Sequence, residues 1–153
     1  PAAFMLLLVA CGGTPQPTPA PTPDVEVTVE ARLQEERAEE AALETKVQGF
    51  DEAIRLDPQE AIAYHNRGFA YEDLGQYERA IQDYDEAIRL DPQNAEVYRN
   101  RGMAYDDLGQ YERAIQDYDE AIRLDPQNAE VYYSRDLAYE YLGQHERAIQ
   151  DYD

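Results

Sequence analysis

Residues 75–98 read GQYERAIQDYDEAIRLDPQNAEVY, and residues 109–132 repeat them letter for letter at an offset of 34 residues. A fixed period of that size marks a chain built from stacked units, each too small to bury its own apolar face, whose neighbours share one continuous core. The spacing divides the chain into units at 61–94, 95–128 and 129–153, the last stopping at Asp153 partway through its second helix. Residues 50–60, FDEAIRLDPQE, parallel the later YDEAIRLDPQ and read as the second helix of an incomplete preceding unit. Copied letters specify helix pairs and their neighbour contacts, so any particular activity belongs to the positions where the copies differ.

Each letter of the unit has a physical reading. Gly68 and Gly102, with Ala80 and Ala114, let two helices approach, and Tyr71 and Tyr84 fill the space they leave. Gly75, Gly109 and Gly143 follow Leu74, Leu108 and Leu142 as left-handed stops for each first helix. Asp91-Pro92 and Asp125-Pro126 end the second helices, because a residue before Pro avoids the helical region. Asn94 and Asn128 then stand where they cap the next helix.

The constellation Tyr64-x2-Arg67-Gly68-x2-Tyr71, Ala80-x3-Tyr84 and Pro92 resembles the tetratricopeptide repeat. Tyr98, Gly102, Tyr105, Ala114, Tyr118 and Pro126 repeat it, as do Tyr132, Tyr139, Ala148 and Tyr152. The resemblance covers about Phe50 to Asp153 and implies an all-α fold, an α-solenoid of antiparallel helix pairs. Two departures stand out. The motif's usual Leu is Arg67, Arg101 and Arg135, each with an Asp sixteen residues on (Asp83, Asp117, Asp151), so an Arg–Asp pair across the two helices is expected. Asp136 replaces the packing glycine of the third unit, which puts that unit's regularity in question.

Ahead of the repeats the composition changes three times. Residues 1–10 hold the apolar run Ala2 to Ala10, too short to span a bilayer but the length of a signal-peptide core. Leu8-Val9-Ala10-Cys11 resembles the lipobox of bacterial lipoproteins, which implies cleavage before Cys11 and a diacylglyceryl group on its sulfur. The chain begins at Pro1 without a basic leader, so the start is expected upstream. Residues 11–24 carry TPQPTPAPTP, whose alternating prolines exclude helix and sheet and hold an extended spacer; at about 3.1 Å per residue it reaches roughly 30 Å. Such a spacer fits a stalk after a lipid anchor, and read alone it also fits a ligand for a proline-binding domain. Residues 25–49 are an acidic run of strong helix formers, in which Gly49 is a candidate kink or division.

Charge narrows the partners. The chain has 33 acids against 13 bases, a net charge of −20, with Lys46 its only lysine. Such a surface repels phosphate backbones, so no nucleic-acid partner is expected; a well-solvated surface is the plainer reading of the same charge. The family resemblance implies that the first helices line a concave groove holding a peptide. By position, the first unit contributes His65, Asn66, Phe69 and Asp73; the second Arg99, Asn100, Met103 and Asp107; the third Tyr133, Leu137 and Tyr141. Phe69, Met103 and Leu137 share one motif position as an apolar stripe. Asn66 and Asn100 share another, where amides either bond a peptide backbone or simply lie on the surface.

With the neighbouring positions of the same helices, seven acids (Glu72, Asp73, Glu96, Asp106, Asp107, Glu130, Glu140) line the groove against one base, Arg99. Where relatives clamp an acidic C-terminus with Lys and Asn, the matching positions here are His65, Arg99 or Tyr133 and Phe69, Met103 or Leu137. A basic or neutral segment with apolar anchors is the expected partner. Catalysis finds little footing: one Ser, one Cys, no phosphate-binding loop, and His65 and His145 80 residues apart. His145 takes the place of Tyr77 and Tyr111 and is expected in the core. No calcium loop is present in YDEAIRLDP, whose acids are expected to face solvent with Arg at i+4, as Asp85 with Arg89. No cofactor or metal is expected. The chain reads as a lipid-anchored, extracytoplasmic adaptor of the bacterial cell envelope. The alternative is a structural array whose exposed final helix, at Ala148, Ile149 and Tyr152, pairs with another subunit.

Overall fold

A computed structural model describes residues 24–148 of the chain. Cys11, the proline-rich spacer and the final helix positions Ile149, Asp151 and Tyr152 lie outside the described residues, so the lipid anchor, the Arg135–Asp151 pair and the self-pairing end are not placed. Seven helices follow one another: α1 Asp24–Leu56, α2 Ala61–Asp73, α3 Tyr77–Leu90, α4 Ala95–Asp107, α5 Tyr111–Leu124, α6 Ala129–Tyr141 and α7 His145–Ala148. The pairs α2/α3 and α4/α5 are the first and second units, and α6 begins the third.

The turns form as the sequence implies. Gly75, Gly109 and Gly143 have φ of 68°, 69° and 70°, a conformation open to glycine at little cost. Around Gly75 the chain makes a Schellman closure: Gly75 N–H donates to the Glu72 carbonyl and Gln76 N–H to the Tyr71 carbonyl, both at 2.8 Å. Asn94 and Asn128 accept from the amides of Glu96 and Glu130 at 3.1 and 3.2 Å, capping α4 and α6.

The missing Cβ of Gly68 sets the distance within the first pair. An added methyl there would stand 2.7 Å from the ring of the fully buried Tyr84, and one at Gly102 2.6 Å from Tyr118. Alanines 80, 87, 104 and 114 are fully buried in the same core as these rings. The third unit has Asp136 at this place, buried on α6; the α6 helix keeps the 13-residue span of α2 and α4, so the substitution leaves its helical register intact.

Segment 25–60 departs from expectation. Instead of a diverged first helix, a break at Gly49 and a second helix, it forms one helix of 33 residues, about 50 Å long. The reason lies 34 residues before the first unit's special positions. Where Gly75 stops α2, the register places Ala41, which has no access to the left-handed turn; where Gly68 admits Tyr84, it places Gln34 opposite Phe50. With neither a stop nor a close-packing site, the helix continues. Its last turns pack on α2, burying Val47 and half-burying Leu43 and Phe50.

Arginines brace the stack. Arg67 on α2 donates through Nε and Nη2 to both oxygens of Asp83 on α3, at 2.7 and 2.6 Å, and through Nη1 to Asp51 on α1 at 2.6 Å. Arg101 does the same with Asp117 on α5 and Asp85 on α3; Arg135 reaches Asp119. The guanidinium of Arg67 also lies within 6 Å of the Tyr64 and Tyr71 ring centres, a setting that suits a planar cation and not a leucine. The expected pair within each unit is present in the first two. The expected Asp85–Arg89 pair is not: Arg89 bonds Glu86, and Asp85 turns to Arg101 of the next unit.

One further correction concerns His145, and one group not anticipated is Glu72. His145 is exposed, because Tyr111, its counterpart, is covered by Tyr141 of the following first helix at 4.9 Å, and no following helix covers His145 among the described residues. The Glu72 carboxylate, half-buried at the end of α2, accepts the Tyr84 hydroxyl at 2.6 Å. Burial lifts its pKa above the ordinary value of 4.5 against the effect of that bond, and the charges of Asp107 and Asp73 push the same way.

Two outcomes are expected. Arg101→Ala leaves Asp117, whose side chain is 7% exposed, without its partner and costs about 3 kcal/mol or more, whereas Arg89→Ala on the surface costs less than about 1 kcal/mol; denaturant melts of the two variants compare them, and equal losses contradict the brace. Because Glu72 binds its proton more tightly folded than unfolded, its charge opposes folding above that raised pKa and ceases to do so as pH falls to 4.5 and below. Glu72→Gln, which keeps an acceptor for Tyr84, therefore melts higher than the parent at pH 7, and the gap closes toward pH 4; a lower melting temperature at pH 7 contradicts this.

Candidate functional site: the inner face of the first helices

First helices approach their successors closely, α2 with α4 and α4 with α6, while the backbones of α3 and α5 stay farther apart. A stack whose first helices are closer than its second helices curves toward the first, so α2, α4 and α6 line the inner side. The expected groove positions lie on these three helices, but they are not equivalent to one another.

Apolar groups are most open at the two ends. Phe69 is 50% exposed with Ile62 beside it on α2, and Tyr133 and Tyr141 are 57% and 67% exposed on α6. Between them Met103 is half-buried and packs on the core, and Leu137 is half-buried. The stripe expected from Phe69, Met103 and Leu137 is therefore open at Phe69 alone and recessed at its other two positions.

The two asparagines separate. Asn66 is exposed, but Asn100, at the same register, is buried and meets His65 Nε2 through Nδ2 at 2.9 Å. Asn100 is thus engaged between units and unavailable to a peptide backbone. His65, expected to line the groove, is 7% exposed. Burial lowers its pKa, the Glu96 charge opposing this and Arg99 adding to it, which keeps the ring neutral at neutral pH with Nε2 as the acceptor of the Asn100 amide.

Acids dominate what remains. Asp73, Glu96, Asp107, Glu130 and Glu140 are exposed, and Glu72 and Asp106 half-buried. Arg99 is held by Glu130 of the next unit at 2.7 Å, so the one groove base is already neutralised. Burial raises the Asp106 pKa, with Asp107 adding to it, and its Oδ1 is buried without a hydrogen-bond partner. It is one methylene shorter than Glu72 and does not repeat the bond that Glu72 makes to Tyr84. No group of three or more His, Cys, Asp or Glu side chains able to hold a metal is present among the described residues. Nor is any helix there long and apolar enough to cross a membrane. The engagement of Asn100 and the neutralisation of Arg99 had no signal within a single unit; comparing residues one register apart across neighbouring units is the reading that finds them.

Similarity to known proteins agrees with this architecture. Models of the tetratricopeptide repeat match residues 50–82 and 95–128, and one described as a TPR repeat matches residues 70–108. No curated protein matches the chain. Among solved structures, the TPR domain of OM64 from Arabidopsis is 30% identical, covers 65% of this chain and 83% of its own, and superposes with a TM-score of 0.63. A crystal structure of MamA is 26% identical over 76% of this chain and 68% of its own, with a TM-score of 0.71. Residues 41 to the end of MamA from Desulfovibrio magneticus RS-1 share the fold at 23% identity, covering 75% of this chain and 65% of that one, with a TM-score of 0.69. This chain spans about two thirds of the length of those two MamA chains. It belongs to the tetratricopeptide-repeat family, and its array is a scaffold for protein–protein interaction.

Proposed function

We propose that the inner face holds a segment of a partner protein that is basic or neutral and carries apolar anchors. The observation that carries this reading is the pairing of open aromatic groups, Phe69, Tyr133 and Tyr141, with a lining whose single base is spent on Glu130. Burying three anchors against such groups contributes several kcal/mol, on the order of 1.5–3 each, before the cost of ordering the peptide. A cation on the peptide gains from the neighbouring carboxylates, and an acidic terminus meets repulsion. The lipobox-like run ending at Cys11 and the proline spacer support an anchored, extracytoplasmic adaptor of the bacterial cell envelope, with the repeats held clear of the bilayer. No residue set in the groove favours an enzyme over a binding scaffold.

A peptide array probed with the full chain is expected to select basic or neutral sequences with apolar anchors, and Tyr133→Glu with Tyr141→Glu weakens that binding by at least about tenfold. Selection of acidic termini overturns the assignment. For the anchor, intact-mass analysis of the protein isolated from its native host is expected to show a diacylglyceryl adduct on Cys11; a bare thiol there would falsify it.

A further inference from the structure

One flank of the array is uncovered. In the repeat register each first helix covers the flank of the next: α2 lies against α4 and α4 against α6. This neighbour is what buries Asn100, 3% exposed, against His65. Asn66 occupies the same position on α2 and is exposed, because α1 runs straight past the end of α2 and supplies no first helix beside it. The bare flank presents Ile62, Asn66 and Phe69, spaced i, i+4, i+7 along one face, with the two apolar members 49% and 50% exposed.

We propose that this flank docks one amphipathic helix of a partner protein, seated where the first helix of a preceding unit would lie and carrying basic residues at the end that meets α1. Repeat geometry gives the occupant its shape, since the place is one that α2 and α4 themselves fill for their neighbours. Charge gives it its chemistry. Where α1 crosses the end of α2 there is an open cleft of about 550 Å³ lined by Glu36, Glu39, Glu40 and Asp73 against the single Lys46. The carbonyl end of α2 adds a partial negative charge to the same corner. A second copy of this chain, at −20, meets like charge there, and residues 1–23 contain no Lys or Arg to answer it. The inference goes beyond the groove reading, because it uses α1 and the free flank of α2 and needs nothing from α6.

The test measures binding of a synthetic leucine–lysine amphipathic helix to the full chain, beside a leucine–glutamate counterpart and a proline-interrupted leucine–lysine peptide. The helical basic peptide is expected to bind, and the other two at least about tenfold more weakly. Glu36→Lys with Glu39→Lys and Glu40→Lys, and separately Asn66→Arg, weaken it by about tenfold or more. The same charge change on outward helix positions, Glu78→Lys with Glu112→Lys and Glu146→Lys, costs less than about threefold. In a Tyr133→Glu, Tyr141→Glu background, which removes basic peptide held by the groove, the peptide still binds and still loses about tenfold or more with the α1 or Asn66 changes, which separates the flank from the groove. Four results overturn the proposal: equal binding of the interrupted peptide, loss through Tyr133 and Tyr141 but not through α1, no binding because residues 1–23 already hold the flank, or a concentration-dependent dimer that Asn66→Arg dissolves.

Discussion

A tyrosine ring pressed against the bare Cα of a glycine holds the first two helix pairs together. With an added Cβ only 2.6–2.7 Å from the ring of Tyr84 or Tyr118, no larger residue enters at Gly68 or Gly102 without displacing a fully buried side chain. That contact works only if the chain has turned back, and the turn needs a second glycine in the left-handed conformation, seven residues later. Where both glycines are present the chain forms a hairpin. At Gln34 and Ala41 neither is, and the same stretch of register becomes a straight rod. The uncovered flank of α2 and the acid-lined corner beside it both follow from that local failure to turn.

Stacking hairpins also requires a contact that passes from unit to unit. Apolar burial provides most of it, through Val97, Val131 and the tyrosines of the core, but the arginine brace adds direction. The guanidiniums of Arg67 and Arg101 each grip the second helix of their own unit with two bonds and the second helix before it with one. Hydrogen bonds to Asp83 and Asp51 raise the Arg67 pKa above its ordinary value despite burial, so that guanidinium is charged throughout the physiological range. Its two partners differ in exposure. Asp83 and Asp117 are buried and depend on their arginine, while Asp51, Asp85 and Asp119 are about half exposed and lose little if released.

Much of this was legible as letters. The period placed six of the seven helices, the glycine stops and asparagine caps took their expected conformations, and the sixteen-residue spacing anticipated Arg67–Asp83 and Arg101–Asp117. What escaped notice arises between units. Asp85 and Arg89 have the spacing of a helix-surface pair, yet the arginine of the next unit outcompetes Arg89, because it brings a half-buried, pre-ordered guanidinium to Asp85. Asn66 and Asn100 are the same residue at the same register and differ only in what stands beside them. His145 takes the place of the half-buried Tyr111, yet among the described residues no counterpart of Tyr141 covers it. A repeat sequence states what each unit contributes, whereas burial depends on which neighbour arrives.

The stop and packing glycines decide where the chain doubles back, leaving segment 24–56 as one rod. Spin labels on Glu30 and Glu52, both exposed on α1, measure this directly by electron–electron dipolar spectroscopy. A continuous helix places the two backbones about 33 Å apart at 1.5 Å per residue. A hairpin brings them to about 10 Å, the spacing of packed helices. The longer distance is the predicted result, and a dominant population at the shorter one contradicts the single rod and closes the flank of α2.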